Sequence, residues 1–222
     1  MFDSAQRREQ RLNNLEGIQL TERSYNMVIG VMLLVAILLN AFTASALRGY
    51  VNSLNPFILL IGYVILSIIS SIMLAKTRSV AVAATAFLIL SFSTGLMLTA
   101  FIQYYTTSTV TYAFFGTAAI LAIMILASTL NPDFFLSIGR ALMVALMAAI
   151  FVDIIISFFF RGFTTVIDYA VVVIFAGFIG FDWARAQMYP KNLLNAIGAA
   201  ADIYLDLINI FMRLLRIFGK KD

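Results

Sequence analysis

Asp202, Asp206, Asn209, Arg213 and Arg216 recur at intervals of four, three, four and three residues in a stretch otherwise dominated by Ile, Leu, Ala and Phe. At about 100° per residue they fall within roughly an 80° arc of one helix face. Ile203, Leu205, Leu207, Ile208 and Ile210 surround that ridge on both sides. Lipid offers no hydrogen bonds, so a polar ridge on an apolar helix must face protein or water. Carboxylates in such a place can relay protons, attract a cation or pair with arginine. Three more acids, Asp153, Asp168 and Asp182, lie in the neighbouring apolar runs. Asp168 and Asp182 are fourteen residues apart, which returns them to nearly the same helix face. Asp153 sits deep in its run, whereas Asp168 is near the outer end of its own and is expected to reach headgroups or water. An ionisable group at the centre of a spanning helix costs at least about 2.5–3.5 kcal/mol on insertion scales, so acids retained there are functional candidates.

Most other chemistry is excluded by what the chain lacks. It has no histidine and no cysteine, which removes disulfides, thiolate or imidazole metal sites and Ser-His or Cys-His catalysis. No Ser/Lys constellation stands out either, so the chain is not expected to be an enzyme. The net charge of +4 is modest and its basic residues are scattered, with no basic stripe of the kind that binds nucleic acid.

The elements that must position these side chains follow from composition. Of the 222 residues, 62% are hydrophobic and 12% charged, against about 45–50% and 25% in soluble domains. Seven spans of about 20 residues would use most of the length. The chain therefore reads as an all-α membrane protein, a seven-transmembrane-helix bundle. A polar N-terminal segment, 1–23, precedes a single membrane domain over 24–222. The expected spans run from about Tyr25 to Ala46, Asn55 to Ala75, Val80 to Ile102, Val110 to Ser128, Ala141 to Phe160, Thr165 to Trp183 and Leu193 to Phe218. Ala44-Ser45-Ala46 resembles a signal-peptidase site, but the long acid-containing stretch ahead of it fits an uncleaved first span better. No ten-residue run alternates polar and apolar residues, which argues against a transmembrane barrel.

The last span carries the polar ridge and is therefore expected to be central. Ala196, Gly198, Ala199, Ala200 and Ala201 would let neighbouring backbones approach it. The competing possibility is an amphipathic helix lying on the membrane surface. Phenylalanines and methionines of the fourth and fifth spans read as lipid-facing. Placing the N-terminus in the cytoplasm collects Arg7, Arg8, Arg11, Arg23, Lys76, Arg78, Arg140, Arg185 and Lys191 on that side. Only Arg48 and Arg161 face the other side before the last span, which supports that orientation. Seven full crossings put Lys220 and Lys221 outside, against the same rule, and a re-entrant last segment would remove the conflict. Its length favours a full crossing.

Asp182 and Asp206 flank the final connection, with Leu194 midway between them and turn signals nearer Pro190 to Asn192. Equal depth in an antiparallel hairpin requires the sixth helix to continue towards Gln187, or the seventh to tilt or begin late.

The segment Ala201-Asp202-Ile203-Tyr204-Leu205-Asp206-Leu207-Ile208-Asn209-Ile210-Phe211, followed by Leu214-Leu215-Arg216-Ile217-Phe218-Gly219, closely resembles the C-terminal signature of the Bax inhibitor-1 family. The spacing of Asp182 and Asp206 resembles that of the family's paired aspartates in helices six and seven. The seven-span plan agrees from about residue 20 onward. The resemblance implies a pH-sensitive cation pathway in a bacterial-type member, associated with calcium leak and gated by Asp182 and Asp206. Two features depart from the family pattern. The glutamine usual just after the sixth-helix aspartate is displaced to Gln187, and Arg185 stands one turn from Asp182, where it could pair with it. The family's basic latch after the second helix falls near Lys76 or Arg78, with Arg78 favoured.

Two carboxylates held together away from water do not both ionise readily and share a proton. Proton loss would leave charges that repel or recruit a cation, and proton gain would lock the pair. Arg78 or Arg185 would compete with the cation. Calcium takes six to eight oxygen ligands, so Asp182 and Asp206 with Asn209 and water would form a weak, transient site, with Asp202 and Asp153 in support. No cofactor is expected; the partners are the lipid bilayer and calcium or protons. A membrane-embedded regulator of a protease or quality-control complex, contacting it through residues 1–23, is one alternative. A proton-coupled transporter using Asp153 and Asp206 as relays is another. The expected location is a bacterial cell membrane.

Overall fold

Each apolar run becomes one helix because a spanning backbone must satisfy its own hydrogen bonds. The computed structural model describes residues 19–159 and 164–219. Arg7, Arg8, Arg11, Arg161, Lys220 and Lys221, and most of segment 1–23, lie outside the described residues. The helices are α1 (Glu22–Ala46), α2 (Arg48–Ser53), α3 (Pro56–Lys76), α4 (Val80–Ile102), α5 (Thr107–Leu130), α6 (Pro132–Phe159), α7 (Thr164–Met188) and α8 (Leu193–Phe218). All but α2 are long and apolar enough to cross a membrane, and 21 residues already reach about 31 Å at 1.5 Å each.

Their starts are set by polar caps. Thr21 accepts from Ser24 N at 3.2 Å, Asn55 from Phe57 N at 2.9 Å with Pro56 in the first turn, Thr106 from Thr109 N at 3.2 Å and Asn192 from Asn195 N at 2.9 Å. At Asn131-Pro132-Asp133 the chain turns and caps the next helix at once, with Asn131 Oδ1 accepting from Phe134 N at 3.4 Å. Pro132 opens α6, Asp133 sits in its first turn, and the helix begins nine residues before the expected Ala141. Similarly α7 continues five residues beyond Trp183, to Met188.

The described residues form two compact units. The first comprises residues 19–104 and 188–201, and within it α4 packs against α1 and α3. Gly95 of α4 lies against α1: a Cβ there would stand 2.6 Å from Thr43 Oγ1 and 3.2 Å from Asn40 Cα. Gly198, expected to serve such an approach, faces open space instead. Leu20 N donates to Lys191 O at 2.6 Å, and the Lys191 ammonium lies 4.8 Å from the Tyr25 ring centre.

The second unit comprises residues 105–159, 164–187 and 202–219. Gly177 of α7 receives Leu142 of α6, and Gly180 receives Phe135. From α5, Ser128 Oγ donates to Gly180 O at 2.6 Å, and Thr129 Oγ1 accepts from Trp183 Nε1 at 3.0 Å. Phe115, Met143, Met147 and Phe151 are exposed, as expected of lipid-facing positions.

Among the seven long helices α8 is the most buried, and α3 and α6 the least. Ile203, Tyr204, Leu207, Ile210 and Leu215 are all buried. A surface-lying α8 is thereby excluded.

Candidate functional site

The polar ridge of α8 divides into two groups of charges, both within the second unit. The first lies around Asp182 and Arg185 of α7. Arg185 is one turn beyond Asp182, and its Nη2 reaches Asp182 Oδ1 at 2.7 Å and Asp202 Oδ2 at 2.8 Å. The same guanidinium lies 5.1 Å from the Phe181 ring centre, which fixes its plane on α7. Asp206 is 7% exposed and stands within hydrogen-bonding reach of Asp182. Its Oδ2 is fully buried, and no N–H or O–H group among the described residues donates to it.

Carboxylate oxygens are acceptors only unless one of them is protonated. A contact between Asp182 and Asp206 therefore becomes a hydrogen bond only with a proton between them. Without it, two like charges at about 4 Å repel by about 4 kcal/mol at an effective dielectric constant near 20. Three carboxylates share this group with one guanidinium, so it holds uncompensated negative charge whenever all three ionise.

The register that brings these residues together is antiparallel. Asp182 with Asp206 and Arg185 with Asp202 are both centred near residue 194. Continuation of α7 to Met188, beyond Gln187, meets the condition that equal depth required.

The second group lies farther along α8. Arg213 Nη1 is 2.7 Å from Asp168 Oδ1, and its Nη2 is 3.1 Å from Asp153 Oδ2. Arg216 grips Asp168 through Nε at 3.1 Å and again through Nη2, and its Nη2 is 4.0 Å from Asp153 Oδ1. Tyr105, between α4 and α5, is within electrostatic reach of Arg216 and Asp168. Burial pushes its phenol above the ordinary value; Arg216 opposes that shift and Asp168 reinforces it. Here two acids meet two bases.

Two expectations about acids are corrected by this group. Asp168 does not reach headgroups or water: it is 2% exposed and held by both arginines. Asp153 supports this second group and not the aspartate pair. A sequence signal for it exists, since Asp153 and Asp168 are symmetric about residues 160 and 161, beside the turn signal Arg161-Gly162. Asn209 lies between the groups, and its Nδ2 donates to Leu205 O of its own helix at 2.8 Å. The structure brings Asp182, Arg185, Asp202 and Asp206 together. Arg78 is exposed on the connection between α3 and α4, in the first unit.

Among the described residues no three acidic side chains converge as a metal-holding group. With two carboxylates in contact and Arg185 already on Asp182 and Asp202, a cation arriving here would have to compete with a guanidinium.

The family model described as inhibitor of apoptosis-promoting Bax1 (Bax1-I) matches residues 19–222. The chain is 33% identical to the uncharacterised protein YrjE of Lactococcus lactis over 133 residues, a match spanning 56% of each chain. It is 30% identical over 155 residues to the membrane protein M6_Spy0327 of Streptococcus pyogenes, covering 67% of this chain and 68% of that one. The inner membrane protein YbhL of Escherichia coli is 26% identical over 208 residues, 88% of each chain.

Proposed function

The chain belongs to the Bax inhibitor-1 family of integral membrane proteins, and on that premise we propose that it is a pH-sensitive cation leak pathway, with calcium as the permeant ion, gated by Asp182 and Asp206. The observation that carries this reading is the contact between those two carboxyls inside a group whose charges do not balance. The groups facing Asp206 are Asp182 and Arg185 of α7 and Asp202 of its own helix.

The gate works by a proton count. With one proton between Asp182 and Asp206, the pair is drawn together and holds α7 against α8. Loss of that proton leaves two carboxylates that repel each other, and the repulsion is relieved by separation or by a cation. Flux therefore rises as pH rises. Arg185 sets the threshold because it partly neutralises Asp182 and Asp202 and occupies the place a cation would take. Two carboxylates fall well short of the six to eight oxygens calcium prefers, which suits passage better than storage.

The test is calcium efflux from proteoliposomes between about pH 6 and pH 8, where carboxyls kept from water can change charge. Wild-type flux should climb across that interval. Asp206→Asn removes one titrating member while keeping the shape, so the climb should flatten. Unchanged flux with an unchanged pH response in Asp206→Asn would overturn the gate.

A further inference from the structure

The Asp153, Asp168, Arg213 and Arg216 group has no part in the proton count just described, yet it sits on the same face of the same helix. Arg213 follows Asp206 by seven residues, about 10 Å along α8. The geometry points to a second barrier in the same pathway: Arg213 is a tethered cation that bridges α6 to α7, and Asp153 is the partner that lets go when the path opens. This inference rests on the cation-pathway reading.

Three observations carry it. First, the two ends of the bridge are unequal. Asp168 is 2% exposed and takes Arg213 at 2.7 Å as well as two contacts from Arg216. Asp153 is 21% exposed and is held at 3.1 Å by Arg213 and only at 4.0 Å by Arg216. Arg213 and Arg216 therefore stay with α7 when the bridge breaks, and the acid on α6 is released. Second, α6 is among the least buried long helices, so fewer protein contacts hold it in place. Third, the group is electrically balanced. A cation moving along the ridge from Asp206 meets a guanidinium that must leave Asp153 before that carboxylate can receive the cation. Arginine stays charged at every accessible pH, so the tethered cation itself is present across the whole range tested. Stability alone is a poor reason for such a group, because buried ion pairs are often matched by apolar packing of similar volume.

The experiment uses the full chain in calcium-loaded proteoliposomes, with Asp206→Asn as the control for the pathway itself. The double variant Asp153→Asn with Arg213→Gln removes the bridge, leaves the Arg216–Asp168 pair in place and keeps the net charge. Its flux should rise about tenfold at each pH, equivalent to about 1.4 kcal/mol off the barrier, with the pH dependence retained. Arg213→Lys keeps a tethered cation and should stay near wild type. If the double variant does not fold, Arg213→Gln alone should show the same rise. Flux within twofold of wild type in the bridge-free variant, beside a flattened response in Asp206→Asn, would overturn the second barrier and leave the pathway standing. A flux indifferent to Asp206→Asn as well would overturn both.

Discussion

At the scale of single residues, the two charged groups differ in their balance of charge, and their responses to substitution should differ accordingly. Arg185→Gln leaves Asp182, Asp202 and Asp206 without their guanidinium. Calcium flux at low calcium should then rise several-fold, read from its concentration dependence in liposomes. Asp168→Ala instead takes from two half-buried arginines the buried carboxylate they share, leaving only Asp153 to face them, and breaking one partner out of a buried pair costs up to about 3–5 kcal/mol. Its melting temperature in detergent should fall well below that of Arg185→Gln. Lys191 supplies a third test, outside the spans. Burial against Tyr25 pushes its ammonium below the ordinary lysine value, with Glu22 opposing. The undocked chain thus binds more protons than the docked one in the interval below about pH 10.4, and docking strengthens as pH rises through it. Lys191→Met should flatten that rise in melting temperature. The reach of Arg185 to Asp182 was legible in the sequence because they stand one helical turn apart, whereas the pairing of Asp182 with Asp206 was implied by the family resemblance and the hairpin register only permitted it. Asp168 is placed too near water by depth alone, because a partner on another helix, Arg213 of α8, decides its burial.

The helices themselves were legible for a different reason. Their apolar length is set by the bilayer, and each of the seven runs became one helix, six of them within about five residues of expectation at either end and α6 with a start nine residues early. Errors fell at the ends, where polar residues serve as caps as readily as turns: Pro132 starts α6, and Arg185 lies in the last turn of a longer α7. Close approach between helices was not legible, because small residues occur in every span and only packing chooses among them. Gly95 was chosen and Gly198 was not. Gly95→Leu should force α1 from α4 at a cost of about 1–3 kcal/mol, the usual range for overpacking. Gly198→Leu, entering open space, should change the melting temperature far less.

For the whole molecule, the sidedness read from Lys and Arg gives a cytoplasmic N-terminus and puts α2 on the opposite side. The native chain has no cysteine, so single introduced thiols report sidedness cleanly. Gly49→Cys, in open space on α2, should label with a membrane-impermeant thiol reagent in intact cells. Asp133→Cys, exposed at the start of α6, should label only after permeabilisation. The reverse pattern would invert the chain and with it the direction from which protons reach the aspartate pair.

Asp182 and Asp206 remain the centre of the account, and the shared proton proposed for them is tested directly by infrared titration of the reconstituted chain. A carboxylic-acid carbonyl band should be present where the pathway is closed and vanish over the pH step that opens it. Asp182→Asn and Asp206→Asn should each abolish the band, since either leaves no second carboxyl to share with. A band that survives both substitutions, or none at all in the closed protein, would contradict a proton held between Asp182 and Asp206.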